Sequence, residues 1–261
     1  MTYRHRCALV TGSTSGIGLA VATELAAAGH HLMLNGFGDA QEIEAIRAEL
    51  ARVHGIDVLY DGADMGQPQA IESMMERAAR QWGGIDVLVN NAGIQHVAPV
   101  DDFPVDRWNA IVAINLSAAF HTTRHALDHM KFNRWGRIVN VASAHALVAS
   151  PFKSAYVAAK HGIAGFSKSV ALEVAECGIT VNAVCPGYVL TPIVERQIPD
   201  TARARGLSEA QVVRDVLLAA QPIKRFVTTD EVARLVGFLC SDTAASITGT
   251  VMPIDGGWTA Q

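Results

Sequence analysis

A glycine-rich turn between an apolar strand and an alanine-rich helix constrains this chain more than any other stretch. Cys7 to Thr11 reads as a short strand, Thr11-Gly12-Ser13-Thr14-Ser15-Gly16-Ile17-Gly18 as the turn, and Gly16 to Ala28 as a helix closed by Gly29. Gly12 permits the tight turn, Gly16 lets a pyrophosphate approach the backbone, and Gly18 allows close helix packing. The helix start then offers N–H groups and the positive end of a dipole to phosphate.

Strand and helix patterns alternate almost from end to end. His31 to Asn35 is a second strand, followed by a helix over Glu42 to His54. Val58 to Tyr60 is a third strand, and Gln69 to Trp82 the next helix. Ile85 to Val89 is apolar throughout, as a strand buried on both faces should be. A long helix is predicted over Val105 to Met130, a fifth strand over Arg137 to Val141, and a helix over Ala155 to Ala175. Thr180 to Val184, a helix over Thr229 to Leu239, and Thr250 to Ile254 complete the series. Parallel strands need long crossovers, so seven strands joined by helices imply an α/β domain, residues 1–261. Its sheet should be parallel and doubly wound, with helices on both faces. One stretch breaks the rhythm: Tyr188 to Phe226 has no strand, and is expected to form short helices as a lid over the site.

Composition narrows the class of partner. A net charge of −4 and a pI near 6.2 give no reason to expect nucleic acid or an anionic membrane surface. No apolar run could span a bilayer, and Met1 to Arg6 leaves no room for a signal peptide. Cys7, Cys177, Cys185 and Cys240 lack paired metal-ligand spacing, which points to thiols in a cytoplasmic protein with no metal.

The chemistry concentrates in Asn115, Ser143, Tyr156 and Lys160. Tyr156 and Lys160, four residues apart on a helix, share one face about one turn apart. A phenol with a reference pKa of about 10 is a poor base near neutrality. A lysine cation beside it is expected to favour the phenolate. Such a pair can move a proton on or off an alcohol oxygen, and the dinucleotide-type turn suggests hydride transfer as the partner step.

These motifs in this order resemble the short-chain dehydrogenase/reductase family. The resemblance covers the chain: the Thr-Gly-x-x-x-Gly-x-Gly turn, Asn90-Asn91-Ala92-Gly93, Asn115, Ser143, Tyr156-x-x-x-Lys160, and Pro186-Gly187. It implies a Rossmann fold, usually assembled as a homotetramer through the helices Val105 to Met130 and Ala155 to Ala175. It also implies that Tyr156 is the general acid/base, that Ser143 binds the substrate oxygen, and that Asn115 helps hold a water linking Lys160 to solvent. Cofactor contacts are expected from Gly12, Thr14, Ser15, Gly16, Ile17, Gly18, Phe37, Asp64, Met65, Asn91, Ala92, Gly93, Tyr156 and Lys160. Pro186, Gly187, Val189 and Thr191 are expected to flank the nicotinamide. At the end of the second strand, Asn35-Gly36-Phe37-Gly38 carries neither the usual acidic residue for NAD nor a basic one for NADP. With no cation to meet a 2′-phosphate, NAD is the expected cofactor.

Further segments resemble members that oxidise (R)-3-hydroxybutyrate to acetoacetate: Asn35-Gly36-Phe37-Gly38, Gly93-Ile94-Gln95-His96, Ser143-Ala144-His145, Lys153-Ser154-Ala155-Tyr156 and Asp255-Gly256-Gly257-Trp258. A free carboxylate in a closed pocket needs several donors and a cation. Lys153 can supply the cation, and the resemblance assigns Gln95, His145 and the lid residue Gln197 to the same carboxylate. Trp258 could wall off the substrate methyl. Two alternatives stay open: a 3-oxoacyl thioester reductase, and a nucleotide-sensing module without catalysis.

Overall fold

The apolar runs that read as strands pair with one another, all in parallel. In the computed structural model, which describes residues 5–260 except 192, 193, 196, 197, 200, 201, 204 and 205, they form one sheet of seven strands. These are β1 (Cys7–Val10), β2 (His31–Asn35), β3 (Val58–Asp61), β4 (Val87–Asn90), β5 (Gly136–Val141), β6 (Ile179–Pro186) and β7 (Val251–Ile254), in the spatial order β3-β2-β1-β4-β5-β6-β7. The order reverses between β1 and β4, and a crevice at the carboxyl ends of strands opens at such a switch point. Ala8, Leu9 and Val10 of β1 stand opposite Val87, Leu88 and Val89 of β4, so the two halves meet on a strip of fully buried aliphatic side chains.

Both faces are covered, as continuous apolar strands require. Helices α1 (Gly16–Ala27) and α8 (Thr229–Cys240) pack on one face around Val21, Leu25, Val232 and Val236. Helices α3 (Pro68–Trp82), α5 (Ala118–Asn133) and α6 (Ser154–Val174) cover the other around Met74, Met130 and Val174. Helix α2 (Ala40–His54) starts two residues earlier than its apolar pattern, because the Asp39 carboxylate accepts the N–H of Gln41 (2.9 Å) and of Glu42 (3.0 Å). A reciprocal box between Thr228 and Glu231 opens α8 in the same way.

The long helix expected over Val105 to Met130 is not continuous. Helix α4 (Val105–Val112) passes into a π-turn at Ala113–Ser117 before α5 begins. The extra residue of a π-turn redirects side chains, and such turns gather at functional sites. Asn115 sits inside this one, buried. Within 188–226, the described residues form a short helix α7 (Glu209–Gln211), capped by Ser208, that runs into a second π-turn at Val212–Leu217. Gln197 lies outside the described residues. Among the described residues no helix is long and apolar enough to cross a membrane.

Candidate active site

The glycine turn is pinned from two sides by asparagine side chains. Asn35 Oδ1 accepts the Gly12 N–H at 3.2 Å, while its amide nitrogen donates to the carbonyls of Asp61 and Ala63. Asn91 Nδ2 donates to the carbonyls of Thr11 (2.9 Å) and Gly12 (3.0 Å). Asn35 thus braces the turn and leaves no side chain facing a ribose. A Cβ at Gly18 would fall 2.1 Å from the Gly12 carbonyl oxygen, so α1 starts in contact with the turn. At Gly16 a Cβ would meet only the Thr191 methyl, at 3.8 Å. That open space, and the arrival of Thr191 across it, bring the segment after β6 over the turn.

The start of α1 is chemically bare. Ser15 makes no side-chain cap and the first turn holds no acidic residue, in contrast to α2 and α8. Its N–H groups can therefore receive an anion without displacing a carboxylate, which fits a pyrophosphate. Of the other predicted cofactor residues, Thr14 gives its hydroxyl to the Phe37 carbonyl (2.9 Å), and Phe37 is itself 67 % exposed. Asp64 is exposed and accepts the Gly66 N–H. Ile17 is half-buried and packs on the core. Met65 belongs to the buried core by its side chain, so only its backbone can face a ligand. Ala92 donates its N–H to the Thr11 hydroxyl, Gly93 is exposed, and Pro186, Gly187 and Val189 continue from β6 into the base of the lid.

Ser143, Tyr156, Lys160 and Asn115 converge at the carboxyl ends of β4 and β5. Ser143 follows β5 and is buried, and it hydrogen-bonds the Tyr156 phenol. Lys160 is buried, donates to the Val141 carbonyl at 2.8 Å, and has its ammonium 5.6 Å from the centre of the Tyr156 ring. The electrostatics differ from the sequence expectation. Burial, the largest influence, pushes the phenol above its ordinary value, and the opposing group is Ser143 rather than Lys160. Burial also lowers Lys160 from 10.5 to about 8. Each group lies inside the fold with no carboxylate beside it, so desolvation outweighs their mutual effect. Asn115 ties the π-turn to the loop after β4: its Oδ1 accepts the Ile94 N–H and its Nδ2 donates to the Ile94 carbonyl, both at 2.9 Å. Thr11, Asn90, Asn115 and Lys160 border a cavity of about 10 Å³, the size of one water.

The predicted carboxylate residues fall on both sides of this centre. Lys153 caps α6 and lies 5.8 Å from the centre of the Tyr188 ring. Tyr188 stacks on Trp258, 5.5 Å between centroids and 2° from parallel, and Trp258 meets the edge of His145. Gln95 is exposed on the loop after β4. His145 is buried, with both ring nitrogens already engaged: Nδ1 lies 3.3 Å from Ser143 Oγ, and Nε2 lies 2.8 Å from Ser150 Oγ. Burial and the nearby Lys153 lower it to about 4, so it is neutral and offers no cation to an acid. Sequence reading missed Tyr188, Ser150 and Gln221. An aromatic directly after Pro186-Gly187 was a usable signal for the first. Gln221, fully buried, accepts the Tyr188 N–H and donates to the carbonyls of Ile223 and Arg225, so it clasps both ends of the lid. Nothing in its sequence neighbourhood marks it.

A family model described as enoyl-(acyl carrier protein) reductase matches residues 12–259. The chain belongs to the short-chain dehydrogenase/reductase family. It is 58 % identical over 256 residues to a D-beta-hydroxybutyrate dehydrogenase of Rhizobium meliloti, covering 98 % of this chain and 99 % of that one. A D-beta-hydroxybutyrate dehydrogenase of Cupriavidus necator is 56 % identical, with 98 % of each chain covered. Among solved structures, an actinorhodin polyketide ketoreductase variant with NADPH superposes with a TM-score of 0.90 at 33 % identity, covering 98 % of both chains. As a Rossmann-type member of this family, the chain binds a nicotinamide cofactor.

Proposed function

We propose that this protein oxidises (R)-3-hydroxybutyrate to acetoacetate reversibly, with NAD as hydride acceptor. The observation that carries the reading is the meeting of a proton-transfer pair, Tyr156 and Lys160, with a cation-and-aromatic pocket of Lys153, Tyr188 and Trp258 at one strand-end crevice. Two D-beta-hydroxybutyrate dehydrogenases above half identity along nearly the whole chain support the substrate.

In this reading Lys153 and Gln95 hold the substrate carboxylate, and the Tyr188–Trp258 stack faces the methyl group. Tyr156 accepts the hydroxyl proton, and Ser143 donates a hydrogen bond to the same oxygen as charge develops on it. When bound, the nicotinamide supplies the acceptor for the hydride leaving the substrate carbon. Lys160 has three N–H donors, one of them spent on Val141. The other two serve the cofactor ribose and a water in the cavity beside Asn115, through which Tyr156 is reprotonated. The start of α1 takes the pyrophosphate, and the segment 186–191 flanks the nicotinamide.

Preference for NAD over NADP rests on charge. The loop after β2 offers Phe37 and no cation, and Asp39 already occupies the N–H groups at the start of α2, where a 2′-phosphate would otherwise find partners. We read 188–226 as a lid within a single domain and the assembly as a cytoplasmic homotetramer, built where Val105, Trp108, Phe120 and Leu172 expose apolar surface on α4, α5 and α6. The test is an absorbance assay of NADH formation with both enantiomers of 3-hydroxybutyrate, a neutral secondary alcohol, and each cofactor. Selective turnover of the R acid with NAD is expected. Equal turnover of the neutral alcohol, or preference for NADPH with a 3-oxoacyl thioester, would refute the assignment.

A further inference from the structure

Ser143 carries one hydroxyl hydrogen, and the proposed chemistry needs that hydrogen on the substrate oxygen. The page of contacts around it sets a proton-counting problem. Its Oγ lies 3.3 Å from His145 Nδ1 and accepts the His145 backbone N–H at 3.2 Å, while also hydrogen-bonding the Tyr156 phenol. If Nδ1 were the bare nitrogen of a neutral imidazole, Ser143 would be drawn to donate its hydrogen there. The hydroxyl would then be turned away from the reacting oxygen. If Nδ1 carried the proton, Ser143 would accept from two donors of His145, filling both lone pairs, and its hydrogen would be left for Tyr156 or substrate.

The other ring nitrogen decides between these states. His145 Nε2 lies 2.8 Å from Ser150 Oγ, the tightest contact the ring makes. A hydroxyl donating to Nε2 forces the neutral ring to carry its proton on Nδ1. The ring is 4 % exposed and wedged edge-on against both Tyr156 (5.9 Å between centroids) and Trp258 (5.1 Å), so it cannot flip without disturbing both. Lys153 and His161 are the charged or titratable groups acting on it, and both oppose a positive ring, which keeps it neutral at working pH.

We propose that Ser150 is a positioning residue: by donating to His145 Nε2 it fixes the Nδ1–H tautomer, which in turn aims the Ser143 hydroxyl at the substrate oxygen. This deepens the dehydrogenase reading and rests on it, and it gives His145 a role toward Ser143 rather than toward the carboxylate. No bond is made or broken at His145 or Ser150 in this scheme, and the imidazole gains no proton.

The tautomer is readable without substrate. Nitrogen-15 NMR of the full-length protein at pH 7, with the His145 signals assigned by their loss in His145→Gln, should show protonated Nδ1 and bare Nε2. Ser150→Ala should shift the ring toward Nε2–H and lower kcat about five- to thirtyfold, with the KM for cofactor unchanged. Ser150→Thr, which keeps the hydroxyl, should restore both the spectrum and most of kcat. A wild-type ring that is mixed or protonated on Nε2 overturns the proposal, even if Ser150→Ala does not fold. So does an unchanged kcat in Ser150→Ala, or a loss that Ser150→Thr fails to rescue. If 3-hydroxybutyrate proves not to be the substrate while the Nδ1–H tautomer is found, the substrate assignment fails and the tautomer assignment stands.

Discussion

Adding one methyl group at Gly18 or at Gly16 should produce opposite failures, although the two glycines are a single residue apart. At Gly18 the new carbon would sit 2.1 Å from the Gly12 carbonyl oxygen, 2.8 Å from its carbonyl carbon and 2.5 Å from Asn91 Nδ2. Two of these atoms are backbone, so relief requires α1 or the turn to move by more than the width of a bond. Overpacking of this kind costs about 1–3 kcal/mol. Displacing Asn91 also strains its two bonds to Thr11 and Gly12, each contributing about 1 kcal/mol. A total of roughly 3–5 kcal/mol corresponds to about 6–15 °C in Tm for a chain of this length. At Gly16 the carbon meets only Thr191, and the main cost is a φ of 56°, about 1–2 kcal/mol for a residue with a side chain. Gly16→Ala should therefore melt within a few degrees of the parent, yet bind NAD at least about tenfold more weakly, because the methyl enters the space meant for pyrophosphate. Thermal melts combined with titration of NADH fluorescence separate the two. If Gly18→Ala melts with the parent, or Gly16→Ala keeps full affinity, the account of the turn is wrong.

Tyr156→Phe should cost at least about 10²–10⁴ in kcat while leaving NADH binding nearly intact, and retained turnover would remove Tyr156 from the proton path. Lys153→Ala should lower kcat/KM by about ten- to a hundredfold on the hydroxy acid, since a charge-assisted bond is lost. An equal loss on a neutral alcohol would show that Lys153 does not read the carboxylate. Acid should weaken the fold through His145, which titrates near 4 when folded against an ordinary 6.5. Below 6.5 the unfolded chain takes up the proton first, so stability falls by up to about 3 kcal/mol as pH drops through 4. Urea midpoints across that window should slope less in His145→Gln than in the parent, and identical slopes would contradict the buried neutral ring.

Much of the fold was legible because its causes are local. The β1–turn–α1 unit announces itself by glycine spacing, and β4 by an unbroken aliphatic run. What escaped depends on partners distant in the chain. The α4–α5 helix reads as continuous because the bond that breaks its regularity runs from Asn115 to Ile94 on another segment. The phenol's shift was misread because adjacency to Lys160 is visible in sequence and burial is not. His145 could be placed near the site from its spacing to Ser143, but its commitment to Ser150 depends on the 148–153 loop. There Phe152 adopts a φ of 65° and its carbonyl accepts the Ala98 N–H. No pattern of residue types forecasts a left-handed phenylalanine.

The π-turn at Ala113–Ser117 binds catalysis to packing in a way that limits how the chain can vary. Removing one residue there would restore a regular helix, but each residue advances an α-helix by about 100°. Everything downstream would rotate by that angle, carrying Thr122, Ala126 and Met130 off the sheet they now face. The irregularity that holds Asn115 in the crevice thus also sets the rotational phase of α5, and neither can be edited without the other.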